Sequence, residues 1–254
     1  MEKSTHYVMQ CVEKNKLDAG IDFVIQPIFD LSRFACIGGE VLVRGTHRRH
    51  IVPPHLFINE LEKNGGIVSM GDYIMSQAFR YIADQIPEAR DKQLFTLNIS
   101  WVQLQDAGFA TRALSMLARY QLTPRHLVFE ITDSDLQLSD TVSHNLAALS
   151  DAGINMAWDG IDGLEKLQSR LALFTPDYVK LDRSCLAPDK IEHTFIMLDH
   201  LATWDVDVIV EGIENYTHVS TMLRHGVQYG QGFLFSRPVS KEAFHLQYMQ
   251  PARA

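Results

Sequence analysis

Short apolar segments typical of β-strands alternate with longer amphipathic stretches along most of this chain. The strand-like segments are residues 23–29, 35–43, 94–99, 127–131, 154–159, 178–181, 206–211 and 227–229. Helical periodicity occupies the stretches between nearly all of them. Eight strands separated by helices in 254 residues match the number and size expected of a (β/α)8 barrel.

The first two predicted strands differ from the others, because only residues 30–34 separate them. That length suits a hairpin, so we expect this pair to be antiparallel. An open doubly wound sheet is the main alternative, but no Gly-x-Gly-x-x-Gly segment follows the first strand. The sequence therefore predicts an α/β fold, a modified TIM (β/α)8 barrel with one antiparallel strand.

Composition excludes several functional classes. The formal net charge is −8, which argues against coating a nucleic-acid polymer or an anionic membrane, since both need a basic surface. Three widely spaced cysteines and no CxxC pair suggest neither a disulfide framework nor a thiolate metal site. The N-terminus lacks a signal-peptide core and no segment is apolar enough to span a membrane. We expect a cytoplasmic chain, with residues 1–20 as an N-terminal extension and residues 21–250 as a single barrel domain.

Polar side chains stand where the predicted strands end, at the face where barrel enzymes hold their active sites. They are Glu40, Arg44, Asn98, Glu130, Asp159, Lys180, Glu211, Glu214 and Gln231. Any one of them alone is typical of a solvated loop. Several carboxylates meeting at one mouth would repel each other unless a cation lies among them, and oxygen ligands suit Mg2+ or Mn2+ rather than zinc. A metal site beside a lysine and a further glutamate suits metal-assisted attack of water on a phosphodiester.

Seven segments, in order from about residue 23 to residue 244, resemble the EAL-domain cyclic-di-GMP phosphodiesterases. GGEVLVRG is similar to the family's E-x-L-x-R segment and follows QPI, and LNISWVQL is similar to N-x-S-x-x-Q-L. LVFEITDSD and DYVKLDRS resemble the segments of the next strands. IVEGIEN and YGQGFLFSRPV resemble the last two motifs.

The resemblance implies a role for each strand-end residue. Metal coordination is implied for Glu40, Asn98, Glu130 and Asp159. Lys180 would hold a catalytic water or a neighbouring carboxylate, and Glu211 would be the general base. Glu214 would support the ligand site, while Arg44 and Gln231 would contact the dinucleotide. The implied substrate is cyclic di-GMP, the product is its linear form, and the cofactor is Mg2+ or Mn2+.

One segment departs from the family pattern. Where the family has D-D-F-G-T-G, this chain has WDGIDG, so Asp159 keeps the first aspartate and Gly160 replaces the second. The resemblance assigns that second aspartate to a second metal ion, so we expect one ion to be retained and the other to be lost unless Asp162 replaces the ligand. The sequence thus predicts a cyclic-di-GMP-binding protein of bacterial second-messenger signalling with weak or absent hydrolysis. An active phosphodiesterase and a non-catalytic protein-interaction module are the alternatives, and a protein partner or a homodimer is left open.

Overall fold

A computed structural model of the chain describes residues 2–48, 50–85, 93–132 and 137–249. Its strands are β1 (Ile21–Asp30), β2 (Ala35–His47), β3 (His50–Val52), β4 (Leu94–Ile99), β5 (Leu127–Ile131), β6 (Asn155–Ile161), β7 (Tyr178–Leu181), β8 (Asp207–Val210) and β9 (Tyr229–Gly230). Its helices are α1 (Glu2–Glu13), α2 (Leu17–Gly20), α3 (Ile58–Asn64), α4 (Gly66–Gln85), α5 (Trp101–Leu104), α6 (Phe109–Tyr120), α7 (Asp140–Asp151), α8 (Leu164–Leu171), α9 (Ile191–Leu201), α10 (Tyr216–Arg224) and α11 (Lys241–Phe244). None of these helices combines the length and apolar content needed to cross a bilayer.

Eight of the strands close into a barrel in the order β1-β9-β8-β7-β6-β5-β4-β2, and β1 pairs back to β2. Strand β1 is antiparallel to both neighbours, whereas β2 and β4–β9 pair in parallel. The turn after β1 is fixed by Asp30, whose Oδ1 accepts the backbone N–H groups of Ser32 and Arg33. Such an Asx turn favours a tight reversal. The prediction of a modified barrel with one antiparallel strand is confirmed.

Apolar residues on the outer faces of the strands pack against the surrounding helices in one large core. Phe95 and Phe129 are buried on neighbouring strands, and Phe79 of α4 and Phe109 of α6 are buried in the same cluster. Aromatic and aliphatic burial of this extent is the dominant favourable term in folding. The helices therefore hold the barrel strands, and with them the site at the strand ends, in a fixed arrangement.

Five elements were absent from the sequence prediction: helix α1, strand β3, helix α8 and the short helices α2 and α5. Helix α1 buries Val8 and Val12 in a second core with Leu61 of α3 and Ile67 of α4, so the first 20 residues pack on the barrel helices. Strand β3 pairs with the end of β2, which extends β2 to residue 47 rather than residue 43. Helix α8 is only 8 residues long, and its periodicity spans too few turns to be distinctive.

Candidate active site at the carboxyl ends of the barrel strands

The interior of the barrel changes from apolar to polar along the strands. One buried cluster draws a residue from each of five strands: Ile28, Leu94, Val128, Ala157 and Ile209. Because side chains two apart share a face of a strand, the residues two positions further along the four parallel strands β4, β5, β6 and β8 point into the same interior. They are Thr96 on β4, Glu130 on β5, Asp159 on β6 and Glu211 after β8. Strand geometry alone thus collects the polar groups in one layer.

Lys180 of β7 lies at the centre of this layer. Its Nζ atom is 2.9 Å from Glu130 Oε2, 3.0 Å from Glu211 Oε1, 3.1 Å from Glu40 Oε2 and 3.6 Å from Asp159 Oδ1. The Lys180 side chain is completely buried. A buried ammonium persists only when it is paired, so the four carboxylates explain why a lysine occupies this position.

The charges in the cluster shift one another's pKa values. Burial disfavours the Lys180 ammonium, but the surrounding carboxylates outweigh that effect and raise its pKa well above the usual value. Burial also raises the pKa of Glu40, yet Lys180 and hydrogen bonds from Gln231 and Asn98 bring it below the usual value. Burial and the charge of Glu40 raise the pKa of Glu130 well above the usual value.

The pKa of Glu211 is raised to a value near neutral pH. Burial raises its pKa to about 7, the negative charges of Asp159 and Glu40 add to that effect, and Lys180 opposes it. A carboxylate with a pKa near the working pH can accept a proton and later release it. Glu211 therefore has the properties of a general base.

Two amide side chains tie the carboxylates together. Asn98 Nδ2 donates to Glu40 Oε1 at 2.9 Å. Gln231 Nε2 donates both to Glu40 Oε2 at 2.7 Å and to Glu211 Oε1 at 2.9 Å. These bonds link Glu40 of β2 to Asn98 of β4 and to Gln231, which follows β9, across the barrel mouth. The predicted residues that meet in this one cluster are Glu40, Asn98, Glu130, Asp159, Lys180, Glu211 and Gln231.

Strand β6 ends in a bulge at Asp159 and Gly160. The register with β7 shifts between Trp158 and Ile161, and Gly160 adopts a φ of +65°, which glycine tolerates best. The Asp159 carboxylate accepts the Gly160 N–H at 2.7 Å and the Thr132 hydroxyl at 3.1 Å. The bulge thus aims Asp159 at the cluster, while Gly160 contributes no side chain.

A cavity of about 750 Å³ lies beside the cluster. Its lining includes Glu40 and Asn98 of the cluster, Arg44 of β2, and the apolar side chains Ile74 and Met75 of α4. This volume falls within the range of small-molecule binding sites, which are mostly apolar with a few fixed polar groups. Since the cavity is bordered by cluster residues, a molecule bound there would contact them.

The donor atoms of the cluster suit a divalent cation. Four carboxylates face one ammonium, which leaves negative charge in excess, and Glu130 Oε1 is buried without a well-formed hydrogen bond among the described residues. An oxygen-only set of this kind is what Mg2+ and Mn2+ prefer. In this structure the carboxylates are gathered on Lys180, and no three acidic, imidazole or thiol groups of the described ranges already form a metal-binding arrangement.

Comparison with known proteins identifies the family. Residues 14–238 match the EAL domain family. The chain belongs to that family.

An uncharacterised Synechocystis protein, sll1895, is 31% identical over 85% of this chain, which spans 32% of sll1895. The cyclic di-GMP phosphodiesterase PdeL of Escherichia coli is 26% identical over 90% of this chain, which spans 65% of PdeL. The EAL enzyme Bd1971, in a cAMP- and cyclic-di-GMP-bound form, superposes with a TM-score of 0.85 at 25% identity, over 96% of this chain and 68% of that one.

Two candidate residues of this EAL domain, Glu214 and Asp162, lie outside both the cluster and the described lining of the cavity. Glu214 is exposed, and its described hydrogen bond is a backbone one to His218 Nδ1. Asp162 is also exposed, and its charge acts on the Cys185 thiol. The described ion pairs of Lys180 include neither residue. A ligand-binding role for Glu214 and compensation by Asp162 gain no support from this placement.

Lys166 of α8 is a site residue that the sequence analysis missed. Its Nζ donates to the Gly160 carbonyl oxygen at 2.5 Å, and the side chain lines the cavity together with Thr132 and Arg170. Lys166 and Arg170 are four residues apart and so share one face of the helix. That basic pair just after the β6 segment was the signal available in the sequence.

Proposed function

We propose that this EAL domain binds cyclic di-GMP at the mouth of its barrel and hydrolyses it slowly or not at all, in bacterial second-messenger signalling. The observation that carries the proposal is the combination of an intact Lys180 cluster, a cavity beside it, and Gly160 at the end of β6. PdeL and the cyclic-di-GMP-bound Bd1971 support the choice of ligand. The first two features favour binding, and the third weakens catalysis.

Arg44 supports binding of an anionic dinucleotide. It lines the cavity and is half-buried, so burial lowers its pKa while Glu40 opposes that change. One of its nitrogens, Nη1, donates to the Val43 carbonyl at 2.8 Å, which holds the side chain against β2. A guanidinium has further donors in a planar fork, which match a phosphate or a guanine edge.

Glu40, Asn98, Glu130 and Asp159 would hold a divalent cation in this proposal. A bound Mg2+ or Mn2+ would supply positive charge for the phosphate oxygens and would acidify a water molecule. The buried Oε1 of Glu130 is an acceptor available for that purpose.

The chain's own groups would then handle the proton and the orientation of the site. Glu211 would accept the proton of the attacking water, for which its pKa of about 7 is suited. Lys180 keeps Glu211 Oε1 within 3.0 Å, and Gln231 donates to that same oxygen. Both contacts fix the orientation of the base.

Gly160 is the reason to expect little hydrolysis. A glycine offers no carboxylate, and the exposed Asp162 makes no described contact with the cluster. Two-metal hydrolysis requires both ions to clamp the attacking and leaving oxygens. With ligands for one ion only, the proposed site binds the dinucleotide but lacks part of the positive charge that would stabilise the transition state.

Calorimetric titration with cyclic di-GMP in Ca2+, paired with a hydrolysis assay in Mn2+, tests the proposal. We expect binding, and we expect Arg44→Ala to weaken it about tenfold or more. Arg224→Ala, which changes an exposed residue on α10, is the matched control and should bind as the parent does. Turnover on the order of 1 per second would instead show that the domain is an active phosphodiesterase. Absence of binding would favour a protein-interaction module.

A further inference from the structure

The position of Lys166 beside Gly160 is explained by the packing of α8. Leu167 and Leu171 are buried, which fixes the rotation of the helix against the barrel. Gly163, the residue just before the helix, has an extended backbone. Lys166, in the first turn, is thereby directed at the bulge rather than into solvent.

The Lys166 ammonium lies next to the position where a side chain at residue 160 would begin. An ideal Cβ built on Gly160 would be 3.8 Å from Lys166 Nζ and 3.6 Å from Thr132 Cγ2. Burial opposes a low pKa at Asp182, after β7, but hydrogen bonds with Ser184 and the charges of Arg183 and Lys166 lower that pKa below the usual value. A positive charge therefore already occupies the side of the site that lacks a carboxylate.

We propose that Lys166 is a substrate-binding cation that donates to a phosphate oxygen of the bound cyclic dinucleotide on the Gly160 side. This inference rests on the proposed function. An ammonium has three donors, so Lys166 can keep the Gly160 carbonyl and still reach a phosphate. A hydrogen bond between an ammonium and a phosphate is charge-assisted and stronger than one to a neutral carbonyl.

Such a residue preserves affinity without restoring hydrolysis. A lysine neutralises part of the charge of the bound phosphodiester, as a second ion would. It does not acidify a coordinated water, which is the other contribution of a metal ion. The proposal therefore predicts binding that depends less on divalent cations.

Calorimetric titration with cyclic di-GMP in EDTA and in Ca2+ tests this assignment. Lys166→Ala should weaken binding about tenfold in EDTA, whereas Lys166→Arg should stay within about threefold of the parent. Lys166→Met keeps the aliphatic stem and serves if the alanine variant is not folded. Lys190→Ala is the control, because Lys190 is exposed at the start of α9.

The outcomes separate this inference from the proposed function. A parent protein that binds cyclic di-GMP in neither buffer overturns the proposed function and this inference with it. A parent that binds, with Lys166→Ala and Lys166→Met within about twofold of Lys190→Ala, overturns the role of Lys166 alone. Loss of affinity in Lys166→Ala and Lys166→Met, but not in Lys190→Ala, supports that role.

Discussion

Replacing Lys180 by methionine would test whether the ammonium holds the barrel mouth together. The side chain is completely buried, as is that of Glu130, and that of Glu40 is 7% exposed. Methionine fills a similar volume but leaves these carboxylates without their cation. Breaking a buried pair in this way costs about 3–5 kcal/mol. At roughly 2–4 °C per kcal/mol for a chain of this size, the melting temperature should fall by roughly 6–20 °C.

Thermal unfolding in EDTA at about pH 8 measures this loss, with Lys190→Met as the control. The control changes an exposed lysine and should shift the free energy of unfolding by less than about 0.5 kcal/mol. The loss should shrink as the pH falls. Without Lys180, burial raises the folded-state pKa values of Glu40 and Glu130 above their unfolded values. Protonation then favours the folded state at low pH, and that stabilisation is lost as the pH rises through the folded-state values.

A divalent cation distinguishes a metal site from a purely structural ion-pair cluster. Ca2+ or Mn2+ should raise the melting temperature of Lys180→Met more than that of the parent, because binding to the folded state alone stabilises it. If Lys180→Met and the Lys190→Met control have the same melting temperature in EDTA, the reasoning about buried charge is refuted. A variant that melts early but does not respond to either cation would refute the assignment of Glu40 and Glu130 as metal ligands.

Three further predictions concern catalysis. At saturating cyclic di-GMP, Gly160→Asp alone should raise the Mn2+-dependent turnover rate less than Gly160→Asp combined with Lys166→Ala, because the new carboxylate would pair with the nearby ammonium. Equal rates in the two variants would contradict this. Glu211→Gln should abolish residual hydrolysis while leaving affinity in Ca2+ within about threefold. The residual rate of the parent should rise with pH through about 7, because the base acts only when deprotonated, and a flat pH profile would exclude Glu211 as the base.

The barrel and most of its polar layer could be predicted from the sequence because both follow from local rules. A turn of four residues between β1 and β2 leaves no room for a crossover helix, so the antiparallel pair was predictable. The period of two along a strand places Glu130 above Val128 and Lys180 above Tyr178. Closure of the barrel then brings the ends of distant strands together.

The contacts within the layer could not be predicted in the same way. The sequence indicated carboxylates around a metal ion, with Lys180 at the side of the site. In the structure Lys180 is the centre of the carboxylate cluster. Which group lies at the centre depends on side-chain length and on the stagger between strands, and neither is encoded in one segment. Helix α8 was missed because its amphipathic pattern is short.

The bulge at Gly160 affects both the backbone conformation at the end of β6 and the charge distribution of the site. With a φ of +65°, a glycine here relieves the strain that another residue would impose. A glycine also places no side chain on the Lys166 side of the cluster, where a positive charge is already in place. Without Lys166, a phosphate bound at this point would have one cation fewer beside it, and Arg170 would be the remaining basic residue of α8 in the cavity lining. In the proposed function Gly160 and Lys166 act together: a protein cation lies beside the position where residue 160 offers no carboxylate, and binding is separated from hydrolysis.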